Sequence, residues 1–167
     1  DVAGYVVVPG DPMGPSDGSV TQTDGSTWSY RDVADGTITL LYFGYTSCPD
    51  VCPTTMADLA HSLRELPKAE QAKVSVQFVS TDPTRDTPAQ ITRWLGGFNP
   101  EFKGGRADIN DVIDQAKTYG IGIDPPKVSK DDYQVTHGAQ VLVLKSGGGA
   151  VGYFDELAGT KTYSKAI

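Results

Sequence analysis

Apolar positions along this chain follow two periods, and the two alternate. Residues 37–45, TITLLYFGY, form a near-continuous apolar run rich in β-branched and aromatic side chains, bounded by turn formers, which predicts a strand buried on both faces. Residues 73–80, KVSVQFVS, predict a second strand of the same kind. Between them, TTMADLAHSLRELP (54–67) sets Met56, Leu59, Ala60, Leu63 and Leu66 at helical spacing, and Pro67 ends the helix. TPAQITRWLGGF opens a second helix, with Thr87 as N-cap, Pro88 at the first helical position and Gln90 three residues after the cap. Residues 109–120, INDVIDQAKTYG, predict a third, with Gly120 beyond its end. AQVLVLK (139–145), the turn SGGG (146–149) and AVGYFD (150–155) predict a hairpin, and a last helix is expected to begin near Thr160.

Ahead of these, SVTQTDGSTWSY predicts another hairpin, because Asp24-Gly25 tolerates the positive φ of a tight turn. The preceding PGDPMGPSDG predicts a loop. The expected organisation is therefore a loop-like lead-in over residues 1–18 and a single domain over 19–167. Strand, helix, strand, helix, helix, hairpin is an α/β order. The first two strands are joined through a helix, so they are expected to run parallel and to end on one edge of the sheet, where α/β proteins place their sites. Cys48 follows the first strand and Asp82 the second. His137 precedes the strand 139–145, so an antiparallel course for that strand brings it to the same edge.

Composition narrows the function. The chain has 167 residues, enough for one domain with its own core. Its formal charge is -7, from 14 basic and 21 acidic residues, which argues against a nucleic-acid partner. No apolar run reaches the ~20 residues that span a bilayer. The chain begins at Asp1 and is expected to be a processed or trimmed piece, so an anchor or signal could precede it. Cys48 and Cys52 are the only cysteines, too few for a disulfide scaffold. They flank Pro-Asp-Val at a strand-to-helix junction, which argues against two inert buried thiols. Near a helix start, residues four apart lie on one side, so the sulfurs can grip one metal ion or close into a disulfide. The helix N-terminus is expected to lower the thiol pKa. Two thiolates with an imidazole suit Cu(I) and, to a lesser degree, Zn(II). Spacing alone leaves a copper site and a metal-free redox pair both open.

Three stretches, YFGYTSCPDVCPTTM, VSTDPTRDTPAQ and DYQVTHGAQVLVL, resemble in order and separation the signature regions of the Sco/SenC family of copper proteins, over about residues 19 to 155. The resemblance implies a thioredoxin-like fold, a central mixed sheet flanked by helices with the N-terminal hairpin attached. It implies one copper, as Cu(I) or Cu(II), held by Cys48, Cys52 and His137. It implies delivery of copper to the binuclear copper site of cytochrome c oxidase, or reduction of that site's cysteines. The implied partners are the copper-accepting oxidase subunit and another periplasmic copper chaperone. Members are tethered to a membrane and face its extracytoplasmic side, or the mitochondrial intermembrane space, and the bacterial setting is preferred. Asp82, in TDP, matches an acidic family position expected beside the ligands or turned toward a partner. Asp50, between the cysteines, is expected to tune them or to meet a partner.

Other residues take plainer readings. His61 is expected on the solvated face of its helix, and Met56 in the core. Arg85 and Asp86 are expected to make a local ion pair or helix cap. Tyr133 is expected to pack or to border the site. SGGG lacks the Lys-Ser/Thr of a phosphate loop. As a thiol–disulfide reductase the chain would use Cys48 and Cys52 as its redox pair. A thioredoxin-superfamily peroxidase is a third reading, in which Thr46 or Ser47 would serve the thiol, and it leaves His137 without a role.

Overall fold

The computed structural model describes residues 5–48, 51–123 and 140–154, Val51 by its backbone alone. In chain order these carry β1 (Tyr5–Val7), β2 (Ser19–Gln22), β3 (Thr27–Ser29), β4 (Ile38–Gly44), α1 (Val51–Glu65), α2 (Lys68–Gln71), β5 (Val74–Ser80), α3 (Pro88–Gly96), β6 (Lys103–Arg106), α4 (Ile109–Thr118), β7 (Val141–Leu144) and β8 (Ala150–Phe154). The strands form one sheet in the order β1-β8-β7-β4-β5-β6-β2-β3. β4 and β5 run parallel, as do β5 and β6, while β7 runs antiparallel to β4. The mixed, helix-flanked sheet is the expected thioredoxin-like α/β fold.

The apolar run of β4 is continuous because both of its faces are covered. Leu40 and Tyr42 point to one side, where Val76 and Phe78 of β5 meet Met56, Leu59 and Leu63 of α1 and Ile91 and Leu95 of α3. Leu41 and Phe43 point to the other, with Val79, Leu142 and Leu144, against Val112 and Ala116 of α4 and Val20 of the hairpin. Burial of each such side chain contributes about 1.5–3 kcal/mol, opposed by the entropy of ordering the chain.

Most boundaries fall near the sequence expectation. The β2–β3 hairpin turns at Gly25 with φ 87°, and Thr87 caps α3 by accepting a hydrogen bond from the Gln90 amide at 3.2 Å. Gly120 takes φ 74° just beyond α4. α1 starts at Val51, earlier than the expected 54, so Cys52 and Pro53 are helical.

Three elements were not expected. β6, Lys-Gly-Gly-Arg, has no apolar signature because its neighbours leave no room for one. A Cβ on Gly104 would lie 2.3 Å from Ile91 Cγ2 of α3, and one on Gly105 would lie 2.5 Å from Val20 Cγ2 of the hairpin. β1 lies inside the lead-in expected as loop, pairing antiparallel with β8 at the sheet edge. α2 is a single turn after Pro67. The helix expected near Thr160 falls outside the described residues. Among the described residues, no helix is long and apolar enough to cross a membrane.

Candidate functional site

The parallel pairing of β4 and β5 places their C-terminal ends together, with Gly44 opposite Ser80, and the Thr81 amide extends the ladder to the Gly44 carbonyl at 2.7 Å. β7 begins on the same edge, with Leu142 opposite Leu41 and Leu144 opposite Thr39. The segment Tyr45–Cys48 leaves β4 there and tightens into a turn in which the Cys48 amide donates to the Tyr45 carbonyl at 3.2 Å.

The cysteines occupy different environments. Cys48 lies in the loop ahead of α1 and is partly exposed, whereas Cys52 is the second residue of α1 and is fully buried. They therefore do not stack on consecutive helical turns as expected. They share one core cluster, Cys52 within it and Cys48 packed against it, and the Cys48 side chain is the largest influence on the Cys52 thiol. The sheet receives Cys52 at Gly44, where any Cβ would lie 3.0 Å from its Sγ and 2.7 Å from Tyr42 Cε1. The Tyr42 hydroxyl donates to Cys52 Sγ at 3.4 Å.

The expected lowering of thiol pKa is reversed at Cys52. Its hydrogen bond with Cys48, and then burial, push the thiol far up, against the smaller opposing effects of Tyr42 and the Tyr45 backbone. Burial also pushes the Tyr42 hydroxyl up. A helix N-terminus favours a thiolate that faces solvent, but Cys52 is buried.

Asp82 is also buried. Its side chain is 0% exposed, and its carboxylate takes the Arg85 Nε at 2.6 Å. Arg85 thus makes a local ion pair, with Asp82 three residues earlier. Asp86 reaches instead into the cysteine loop. Its Oδ2 accepts the Thr46 amide at 3.2 Å and the Ser80 hydroxyl at 2.8 Å, and its Oδ1 accepts the Thr46 hydroxyl at 2.6 Å. Burial pushes the Asp86 carboxyl above its ordinary range, and these hydrogen bonds partly offset it. The Thr46 hydroxyl, one of two that the peroxidase reading would place beside the thiol, is given to Asp86.

Sequence reasoning did not single out Tyr42 or Gly44 as supports for the thiols; it named Thr46 only under the peroxidase reading and read Asp86 only locally. Tyr42 was accessible to it: even positions of β4 face α1, so its ring shares a face with the helix that carries Cys52. Asp86 was not, because its partners are 40 and 6 residues away.

His137, Asp50 and Tyr133 lie outside the described residues. Among the described residues, no third His, Cys, Asp or Glu completes a metal-binding group with the cysteines. His61 is exposed and pairs with Glu65 at 3.2 Å on the same helix, and Met56 is buried in the core, both as expected.

A family model described as SCO1/SenC matches residues 16–167. Protein SCO2, mitochondrial, of Saccharomyces cerevisiae is 31% identical over 71% of this chain and 40% of its own length. The mitochondrial SCO2 homolog of Bos taurus is 30% identical over 77% of this chain and 49% of its own length. The chain thus spans about half or less of these relatives. Among solved structures, copper-bound ScoI of Bradyrhizobium japonicum superposes with TM-score 0.76 at 29% identity, covering 95% of this chain and 96% of that one. Apo Sco1 of Thermus thermophilus gives 0.81 at 30% identity, covering 95% and 91%. With the cysteine loop at the sheet edge and the match running through almost the whole sequence, this chain belongs to the SCO1/SenC family.

Proposed function

We propose that this protein binds one copper ion through Cys48, Cys52 and His137 and delivers it to the copper-accepting subunit of cytochrome c oxidase. The observation that carries the reading is the shared placement of a buried and a partly exposed sulfur, Cys52 within one core cluster and Cys48 packed against it, at one sheet edge. Two adjacent thiols resist losing both protons in a buried place, and a soft cation that replaces those protons relieves the repulsion. The copper-bound structures of ScoI from Bradyrhizobium japonicum and of Sco1 from yeast, the latter at 25% identity, support copper as the ion.

The protein's own residues divide the work. Gly44 makes room for Cys52, and Tyr42 gives its sulfur a hydrogen bond. Cys48, the more accessible sulfur, is the one a docked partner can reach. Copper(I) supplies a soft centre that passes readily between thiolate donor sets. The net acidic surface orients a partner of opposite charge. Tethering to a membrane belongs to the same proposal.

The shared placement of the two sulfurs also favours a second reading, reduction of the oxidase subunit's disulfide. Cys48, as thiolate, attacks one sulfur of that disulfide and releases the other, which takes up a proton. Cys52 then gives up its proton and attacks the Cys48 sulfur. The partner's second sulfur leaves as a thiol, two electrons have passed to the partner, and Cys48 and Cys52 are joined.

An anaerobic Cu(I) titration against a chromophoric chelator tests the binding claim. The reduced protein is expected to withhold one equivalent, and Cys48→Ser and Cys52→Ser each to lose it. Unchanged binding in either serine variant would remove the two-sulfur site.

A further inference from the structure

We propose that Asp86 is a positioning residue for the Cys48–Cys52 pair, acting through a two-point grip on Thr46. The proposal deepens the copper-site reading and rests on it for the metal, but not for the geometry.

Thr46 sits two residues before Cys48 and is almost fully buried, at 8% exposure. Both of its hydrogen-bond donors go to one carboxylate, the amide to Oδ2 and the hydroxyl to Oδ1. Two bonds from one residue to one rigid group fix its orientation as well as its place. The Gln90 amide of α3 reaches the same hydroxyl at 3.5 Å.

The carboxylate is itself held. The Asp86 amide donates to the Asp82 carbonyl at 2.9 Å, and Thr87 beside it caps α3. From β6, Arg106 Nη1 donates to the carbonyls of Pro83 at 3.0 Å and Asp86 at 3.4 Å. The Ser80 hydroxyl anchors Oδ2 to the end of β5. Asp86 is 0% exposed, and among the described residues the donors to its carboxylate are two groups of Thr46 and one of Ser80, none of them a cation. A buried carboxylate is a costly way to hold a loop. It accepts three converging donors at once, and two of them belong to the segment that aims Cys48. Its grip therefore sets where Cys48 meets Cys52.

A scaffold role alone predicts that every variant of this network acts through stability. Ser80→Ala is the control, since it cuts the same carboxylate's bond to β5 and leaves both bonds to Thr46. Thr46→Val keeps the shape and the amide bond and removes the hydroxyl bond. Asp86→Ala removes the grip. Asp86→Asn preserves it, because the amide oxygen can accept the Thr46 amide and its NH2 can donate to the Thr46 hydroxyl oxygen.

Each variant is read three ways: the Cys48–Cys52 reduction potential of the metal-free protein in glutathione buffers, Cu(I) affinity by chelator competition, and thermal unfolding. The expected result is an altered potential and a loss of about tenfold or more in Cu(I) affinity for Thr46→Val and Asp86→Ala. Asp86→Asn should restore the parent values, and Ser80→Ala, which leaves both Thr46 bonds, should shift them less than Thr46→Val. A folded Thr46→Val with parent potential overturns the proposal. So does a Ser80→Ala that shifts the potential as far as Thr46→Val. If the parent itself takes up no copper, the copper reading fails, and the potentials still decide the positioning role.

Discussion

Gly44 is the residue on which Cys52 depends most directly. It needs no unusual backbone, only the absence of a side chain, since Tyr42, Cys52 and Phe78 all crowd the place a Cβ would take. Gly44→Ala is expected to cost about 1–3 kcal/mol by overpacking, read in urea unfolding, and to weaken Cu(I) binding because the displaced group is a sulfur. Asp86 gives a prediction in pH. Its folded-state pKa is raised, chiefly by burial, above the value it takes in the unfolded chain. Its favourable contribution is therefore complete below the unfolded value of about 4 and is lost as pH rises through the folded value. The parent should gain stability relative to Asp86→Asn as pH falls from 7 toward 4, in paired denaturation curves. A difference independent of pH would mean that Asp86 is not raised.

At the scale of elements, legibility followed periodicity. β4, β5, α1 and α3 announce themselves because each buries a face wide enough to leave a pattern. β6 does not, because α3 and the hairpin press on it from both sides and only glycine fits. β1 is three residues long and half exposed, so it leaves no pattern either. The site divides the same way. The sulfurs and their edge followed from the β4–helix–β5 order, whereas the thiol pKa direction did not. That direction depends on where the loop puts Cys48, and the loop is held by residues distant in sequence. The hairpin is tied to the parallel strands by a reciprocal amide pair, Gln22 Nε2 to Gln77 Oε1 at 2.8 Å and Gln77 Nε2 to Gln22 Oε1 at 2.9 Å. Gln77 is buried, so Gln22→Leu strands an amide and is expected to cost about 1–3 kcal/mol in unfolding free energy.

For the whole molecule, the account is one of convergence. The sheet brings the ends of β4 and β5 to one edge, the start of α1 sets Cys52 in the core while the loop before it leaves Cys48 partly exposed, and Asp86 ties that loop to β5 and α3. The site is thus built from the sheet's parallel centre, while β1 and the hairpin complete its two flanks. The central claim is that His137 joins the two sulfurs around one copper ion. The most direct test is a Cu(II) titration of the fully reduced protein, followed by visible absorption and electron paramagnetic resonance, with His137→Ala beside it. One equivalent bound with intense sulfur-to-copper charge-transfer bands, and both spectra altered in the variant, is the predicted result. Copper bound as tightly and with the same spectra in His137→Ala, or cysteines that only oxidise to a disulfide, would contradict it.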